Sequence, residues 1–370
     1  MPARSPFAPP ARPQGTRREV GLGKCDGGGV VRMTSVGRMD LTTLPKVELH
    51  SHLDCCLSYG AVRRIDPRIT RERYARDFVG PERCPSLADF LGYTMNYRAL
   101  LQSERALRIA VQDVFEQMSR DGVAYVELRF APLVHAADSS MSGDEVVAYV
   151  AEETAAQAAA TGIDARLILC TLRDYDTERS LETARLAVRH AGSGPVAGLD
   201  IAGDEIGFPL DGHVPAFALA REAGLGVTVH AGESGGPENV REALDKTGTR
   251  RIGHGVHSVE DRELLARLAE ERVHLEICPA SNVQTSAVPS LEEHPVGRLR
   301  EAGVPVGIST DARAVTNVRL TREYERLRDV LGWTQADFAQ MNLDALEAAF
   351  APEDVKRRVR DVLVHAYAEV

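Results

Sequence analysis

The sequence predicts an α/β fold, a (β/α)8 TIM-type barrel with extra lid helices after the first strand. Eight short runs rich in β-branched and apolar residues recur from Lys46 onward, and a longer segment with helical apolar spacing follows each run. Alternation of this kind implies parallel strands joined by right-handed crossovers, and eight units close a barrel. The predicted strands are Lys46 to Asp54, Val123 to Phe130, Ala165 to Thr171, Val196 to Glu205, Gly226 to Glu233, Arg251 to Val256, His274 to Asn282, and Val304 to Asp311.

The connections between these strands are rich in Ala, Leu, Glu and Arg, as in Glu104 to Arg120. The region from Leu57 to Glu104 is too long for one crossover helix, so we expect extra helices there, including Ser86 to Arg98, to cover one end of the barrel. An open doubly wound sheet is the alternative fold. It is less favoured because no G-x-G-x-x-G follows an early strand.

Residues 1 to 40 are rich in proline and arginine and contain a run of three glycines. Such a segment cannot bury enough apolar surface to offset its ordering entropy, so we expect a disordered N-terminal extension. Residues 41 to 370 are expected to form one metal-dependent hydrolase barrel domain.

Composition excludes several classes of protein. The formal net charge of -10 argues against a nucleic-acid partner and favours small-molecule chemistry. The six cysteines contain no C-x-x-C pair, so neither a disulfide framework nor a thiolate zinc site is indicated. No run approaches the ~20 apolar residues of a membrane helix and no apolar signal core opens the chain, so we expect no membrane partner and a cytoplasmic location. The oligomeric state stays open.

Polar residues gather where the predicted strands end, which is the active-site end of a barrel. His50, His52 and Asp54 share one face of the first strand, because side chains alternate with a period of two. Taken alone, an H-x-H pair is as readily an incidental pair on a polar strand.

Further polar residues end three other strands: His230 and Glu233 on the fifth, His254 on the sixth and Asp311 on the eighth. A barrel brings these ends together. Three imidazoles (His50, His52 and His230) with the Asp311 carboxylate form a nitrogen and oxygen set suited to zinc, with a position left for water. Glu233 and His254 are the residue types expected of an acid and a base beside a metal-activated water.

The motifs LPKVELHSHLD (44–54), GLDIAGDE (198–205), TVHAGE (228–233), RIGHG (251–255) and STD (309–311) resemble, in the same order, those of the adenosine and adenine deaminase family of the amidohydrolase superfamily. The resemblance runs from about Leu44 to the C-terminus. It implies a zinc-dependent hydrolase acting on the C–N bond of a cyclic amidine in purine and nucleotide metabolism.

The resemblance also implies roles for particular residues. One Zn2+ per chain would be held by His50, His52, His230 and Asp311, and Glu233, His254 and Asp311 would be catalytic. Glu233 would protonate purine N1, a mechanism that needs an environment raising its pKa. The substrate-binding residues implied are His52, Asp54 at the ribose 5′-hydroxyl, and the Gly203 backbone. The superfamily's bridging lysine is replaced here by a stretch containing Asp200 and Asp204, which favours one metal.

Two positions depart from the family pattern. Cys55 and Cys56 follow Asp54 where glycine is common, and they add bulk near the ribose site. Ala312 and Arg313 follow Asp311 where a second aspartate typically contacts purine N7. Arg313 is interpreted either as a contact to an anionic substituent or as an exposed or ion-paired arginine.

The predicted function is zinc-dependent hydrolytic deamination of a 6-aminopurine nucleoside, adenosine or 2′-deoxyadenosine, to inosine or 2′-deoxyinosine plus ammonia. A first alternative is another aminopurine, such as adenine, an N6-substituted nucleotide or an aminofutalosine-like nucleoside. A second alternative is an inactive purine-binding relative, against which the intact set of six site residues argues.

Overall fold

Nine short parallel strands form the centre of the computed structural model, which describes residues 40–192 and 194–368. In chain order they are β1 Lys46–His52, β2 Val123–Phe130, β3 Asp164–Leu172, β4 Val196–Ala202, β5 Gly226–Val227, β6 Val229–Ala231, β7 Arg251–His254, β8 His274–Ile277 and β9 Val306–Ile308.

The strands form two parallel sheets, β1-β2-β3-β4-β5 and β6-β7-β8-β9, which are joined at both edges. Thr228 alone separates β5 from β6, and its N–H donates to the Leu199 carbonyl of β4 at 3.0 Å, so β5 and β6 act as one interrupted barrel strand. At the other edge Asp311 N donates to the His50 carbonyl at 2.9 Å, and His52 N donates to the Asp311 carbonyl at 2.9 Å. The ring of eight barrel strands predicted from the sequence is confirmed.

Helices follow most of the strands. Three helices lie between β1 and the first crossover helix, where the extra lid helices were predicted. The helices are α1 Tyr59–Ile65, α2 Arg71–Asp77, α3 Leu87–Leu100, α4 Glu104–Arg120, α5 Pro132–Ala137, α6 Gly143–Thr161, α7 Thr177–His190, α8 Val214–Glu222, α9 Pro237–Thr247, α10 Arg262–Glu270, α11 Pro279–Gln284, α12 Val296–Glu301, α13 Leu320–Leu331, α14 Gln335–Ala348 and α15 Glu353–Ala368. None of these helices is long and apolar enough to cross a bilayer.

Helix α4 illustrates how sequence specifies these elements. The Ser103 side chain accepts a hydrogen bond from Ala106 N and so caps the first turn. Leu107, Val111 and Val114, spaced by four and three residues, are buried on one face of the helix. The lid helix α3 begins with a cap of the same kind, because the Ser86 side chain accepts a hydrogen bond from Asp89 N.

The end of the barrel opposite the predicted site is closed by Phe350, which follows α14. Its ring packs against Gly198 and Gly226, and a β-carbon at either glycine would overlap the ring. The ring also stacks on the Arg251 guanidinium, whose carbon lies 3.8 Å from the ring centroid. The two glycines are therefore required by the close approach of this aromatic ring.

Several strands end earlier than predicted. β1 ends at His52 and a short 3-10 turn, Leu53–Cys55, carries Asp54. β8 ends at Ile277 because Pro279, which lacks an N–H, begins α11. The prediction of a disordered extension falls on residues 1 to 39, outside the described residues, and on Asp40, which is exposed.

Candidate active site

Four predicted metal ligands converge at the carboxyl ends of the strands. One ligand atom from each of His50, His52, His230 and Asp311 lies within 4.8 Å of the other three. Asp311 Oδ1 is 3.4 Å from His50 Nε2 and 3.3 Å from His52 Nε2, and the Nε2 atoms of His52 and His230 are 3.2 Å apart. His50 Nε2 is buried and has no hydrogen-bond partner among the described residues, as expected of an atom reserved for a cation.

Buried carboxylates orient two of these imidazoles. Glu276 Oε2 accepts a hydrogen bond from His50 Nδ1 at 2.7 Å, and Asp200 Oδ1 accepts one from His230 Nδ1 at 3.1 Å. Because a carboxylate is an acceptor only, the ring proton of each histidine lies on Nδ1 and its Nε2 lone pair is free for a metal. The Arg129 guanidinium joins the two acids, with hydrogen bonds of 2.6 Å to Asp200 and 2.7 Å to Glu276.

The backbone is unusual at two site residues. Asp311 and His254 have φ values of 60° and 63°, in the left-handed region that residues other than glycine rarely adopt. Such conformations cost about 1–3 kcal/mol and concentrate at functional sites. Ser281 Oγ holds the Asp311 side chain by donating to Oδ2 at 2.6 Å.

Glu233 and His254 lie beside the ligand cluster. Their nearest side-chain atoms, Glu233 Oε2 and His254 Nε2, are 3.6 Å apart. Burial, with smaller contributions from the Asp311 and Glu205 carboxylates, raises the pKa of Glu233 well above its ordinary value. Burial lowers the pKa of His254 well below its ordinary value. Both shifts favour the uncharged forms, a protonated Glu233 carboxyl group and a neutral His254 imidazole.

Glu205 fixes the segment that carries Glu233. Its Oε1 accepts backbone hydrogen bonds from Glu233, Ser234 and Gly235 at 2.7–2.8 Å, and its Oε2 accepts one from Gly232 at 2.8 Å. Four N–H groups converging on one buried carboxylate make a rigid loop.

Two adjoining cavities, which share several lining residues, lie beside these side chains. The outer cavity has a volume of about 340 Å³ and the inner one about 50 Å³. Leu91 and Thr94 of the lid helix α3 line both, so α3 covers the mouth of the barrel as predicted. The inner cavity is lined at its base by His52, His230, Glu233, His254, Asp311 and Ala312.

The predicted substrate contacts lie along these cavities. Gly203, with φ of 113°, lines both, and a side chain there would meet Arg173. Asp54 lines the outer cavity, and its Oδ2 lies 3.4 Å from Nε2 of the buried His135. Burial raises the pKa of Asp54, but the contacts with His135, His52 and the Ala131 N–H together outweigh burial and leave that pKa below its ordinary value.

The interpretation of Arg313 as a contact to a substrate anion is wrong. Arg313 is about 2% exposed, lines neither cavity and forms ion pairs with Glu48 and Asp121, as its alternative interpretation held. The two cysteines also differ from each other. Cys55 lines both cavities, whereas the Cys56 thiol donates to the His52 carbonyl at 2.8 Å inside the barrel wall.

Sequence reasoning missed the residues that hold the site in place. Glu205 lay inside a quoted motif, two residues after Gly203, but no role was inferred for it. Glu276 occupies an inward position on β8, and a buried acid in an apolar strand was the available signal. Asn282, whose Nδ2 lies 3.0 Å from His254 Nδ1, carried no recognisable signal.

Comparison with known proteins adds independent findings. The family profile described as adenosine deaminase matches residues 45–366. An adenosine deaminase of Lacticaseibacillus paracasei is 36% identical over 339 residues, which cover 89% of this chain and 99% of that protein.

Solved structures are similar as well. A crystal structure of adenine deaminase from Arthrobacter aurescens has a TM-score of 0.80 and 27% identity, covering 87% of this chain and 98% of that chain. The apo structure of the N6-methyl-AMP deaminase from Arabidopsis thaliana has a TM-score of 0.77 and 25% identity, covering 89% and 99%.

Proposed function

Because this chain belongs to the adenosine deaminase family and is a hydrolytic deaminase, we propose that it converts adenosine or 2′-deoxyadenosine to inosine or 2′-deoxyinosine and ammonia, with one bound zinc ion. The observation that carries the proposal is the meeting of four candidate metal-ligand atoms with the buried Glu233 carboxyl group, whose pKa burial raises, at the base of one cavity.

The donor set supports zinc. His50, His52 and His230 offer imidazole nitrogens and Asp311 offers one carboxylate oxygen, which is a combination that zinc accepts with a position left for water. When bound, the ion would supply Lewis-acid activation of that water at neutral pH.

Glu233 is the proton donor in this proposal. Water adds to C6 of the purine while the Asp311 carboxylate takes up its first proton, and the Glu233 carboxyl proton moves to N1, so that negative charge does not build up on the ring. The proton held by Asp311 then passes to N6, the C6–N6 bond breaks and ammonia leaves. The C6 hydroxyl proton returns to Glu233 as the C6 carbonyl forms. The raised pKa of Glu233 supports this role, since an ionised carboxylate could not donate.

The remaining residues would orient the reacting groups. Asp311 and His254 flank the position of the attacking water, the Gly203 backbone faces the purine, and Asp54 binds the 5′-hydroxyl from the outer cavity. The positive φ of Gly203 supports a close backbone approach, because no side chain stands between the strand and the cavity.

The charge of the outer cavity favours a nucleoside over a nucleotide. Three carboxylates, those of Asp54, Asp174 and Asp204, line it against the guanidinium of Arg98. A 5′-phosphate carries about two negative charges at pH 7, so it would meet net repulsion there. Arg313 cannot offset this, since it faces away and is already paired.

A second candidate is another aminopurine, for which Ala312 is the observation. Its methyl group lines the inner cavity and offers purine N7 no hydrogen bond. The candidate substrates are adenine, an N6-substituted nucleotide such as N6-methyl-AMP, and an aminofutalosine-like nucleoside.

A substrate panel on the zinc-loaded protein separates these candidates. We expect kcat/KM to be highest for adenosine or 2′-deoxyadenosine, with adenine, AMP and N6-methyl-AMP lower. A clear preference for adenine or for a nucleotide would refute the nucleoside assignment and favour the second candidate.

The proton-donor role has its own test. Glu233→Gln should bind zinc normally and lose at least about 100-fold in kcat, because an amide occupies the same space but is not an acid. Glu242→Gln, on α9 and away from both cavities, is the matched control and should retain kcat. Retention of kcat by Glu233→Gln would rule out the role.

A further inference from the structure

A buried chain of hydrogen bonds ends on His254 and reaches away from both cavities. Val296 N donates to His294 Nδ1 at 3.1 Å. His294 Nε2 lies 3.3 Å from Asn282 Oδ1, and Asn282 Nδ2 lies 3.0 Å from His254 Nδ1. Asn282, His294 and His254 are each 5% exposed or less.

The backbone sets the direction of every bond in this chain. A main-chain N–H can only donate, so His294 Nδ1 must be an acceptor and the ring proton of neutral His294 lies on Nε2. That proton is donated to Asn282 Oδ1. The amide nitrogen of Asn282 then faces His254 and donates to Nδ1, which leaves the proton of neutral His254 on Nε2. Burial, which lowers the pKa of His294 to about 3, keeps this histidine neutral.

The reversed orientation of the amide is not possible here. It would turn the Asn282 NH2 group towards His294 Nε2, which would then have to accept. His294 Nδ1 already accepts from Val296 N. A neutral imidazole carries one proton and cannot accept at both nitrogens, so the orientation follows from the chain and not from the assignment of the amide atoms.

His254 therefore has the opposite tautomer to the histidines beside it. Carboxylates accept from Nδ1 of His50 and His230 and free their Nε2 atoms for a metal. An amide donates to Nδ1 of His254 and leaves an N–H at Nε2, the atom that lies 3.6 Å from Glu233 Oε2. The chemical type of the partner, carboxylate or amide, thus separates metal ligands from a hydrogen-bond donor.

We propose that Asn282 and His294 are positioning residues that hold the proton of His254 on Nε2, so that His254 acts on the attacking water as a hydrogen-bond donor. The proposal rests on the proposed function only for the identity of that water. The tautomer itself follows from the hydrogen bonds.

The direct test is nitrogen NMR of the full-length, zinc-loaded protein labelled with 15N-histidine. The signals of His254 are assigned by their loss in His254→Gln. We expect a protonated Nε2 and an unprotonated Nδ1 for this residue. A protonated Nδ1 would overturn the proposal, whether or not adenosine is the substrate.

Substitution of Asn282 reverses the direction of the last bond. In Asn282→Asp the carboxylate can only accept, so the proton of His254 should move to Nδ1 and kcat should fall about 100-fold or more, with little change in KM and with zinc retained. Asn282→Asp with an unmoved proton and unchanged kcat would contradict the proposal.

His294 provides a second pair of variants if the buried aspartate prevents folding. His294→Gln keeps an N–H donor for Asn282 Oδ1 and should retain most of the activity. His294→Leu removes the donor, frees the amide to rotate, and should lower kcat and mix the two His254 tautomers. Equal kcat and equal spectra for His294→Gln and His294→Leu would refute the role of the hydrogen-bond chain. A merely structural role of His294 would not make the His254 tautomer differ between the two variants.

Discussion

Glu205 holds the loop that carries Glu233, and the loss of stability on removing its side chain follows from the four hydrogen bonds that it accepts. In Glu205→Ala four backbone N–H groups lose their acceptor, and those of Gly232, Glu233 and Gly235 belong to buried residues. Each unsatisfied buried donor costs about 1–3 kcal/mol, so the lower limit for these three is about 3 kcal/mol of unfolding free energy.

The conservative variant should lose much less. In Glu205→Gln the amide oxygen can replace Oε1, which accepts three of the four bonds, while the amide nitrogen faces Gly232 N without accepting. We expect a loss of about 1–3 kcal/mol. In Glu205→Ala, displacement of Glu233 by about 1 Å should lower kcat roughly 100-fold.

Urea unfolding and steady-state deamination of adenosine measure both effects, and bound zinc is measured in parallel. Zinc should be retained because Glu205 contacts none of the four ligand side chains. Glu242→Ala is the control, since its carboxylate pairs with Lys246 outside the cavities. The reasoning is wrong if the unfolding free energy of Glu205→Ala lies within about 0.5 kcal/mol of that of the parent protein, which is the range found for neutral surface substitutions.

Three further predictions follow from buried contacts. Arg129→Lys should weaken zinc binding about 10- to 100-fold in a chelator competition, because Arg129 holds the two acids that orient His50 and His230. Arg313→Lys, at an equally buried arginine, is the control and should leave zinc affinity unchanged. Equal zinc affinities for the two variants would contradict this prediction. Gly226→Ala should lower the free energy of unfolding in urea by about 1–3 kcal/mol, because the new β-carbon would overlap the Phe350 ring. Gly297→Ala is the control and should leave this free energy unchanged, because a β-carbon there meets nothing within 4 Å. Similar losses of stability in the two variants would argue against the overlap. Burial raises the pKa of Glu323 to about 7 from 4.5, so its stabilising contribution is complete below pH 4.5 and is lost as pH rises through 7. Glu323→Gln should therefore increase the free energy of unfolding by up to about 3 kcal/mol at pH 8 and by little at pH 4. An increase that does not depend on pH would contradict this prediction.

The barrel could be predicted from the sequence because its signals are local and repeated. Eight apolar runs alternate with helical spacing, and that pattern alone implies the parallel ring. The predicted ligands meet because barrel strands bring their carboxyl ends together. Assigning His50 and Asp311 to the ends of two strands was therefore enough to predict that they lie close together.

Side-chain direction after a strand end could not be predicted. Alternation with a period of two holds only while the backbone is extended, and Asp311 leaves that region with φ of 60°. Arg313, two residues later, consequently faces Glu48 and Asp121 in the interior instead of the cavity.

Partners inside the barrel were also beyond sequence reasoning. Arg129 and Glu276 are 147 positions apart, and His254 and Asn282 are 28 apart. No spacing rule joins such pairs, because the barrel radius and the side-chain rotamers decide which of them touch.

The closed floor of the barrel affects how the reaction products leave. Below the histidines the axis is filled by Arg129, Arg251 and their acids, and Phe350 seals it. Within the described part of the chain, ammonia and the larger deaminated purine would therefore both leave through the cavities beneath α3. The reacting end of this passage is its deeper end, so both products and the next substrate would share one route, and product release would then compete with bond breaking for control of turnover.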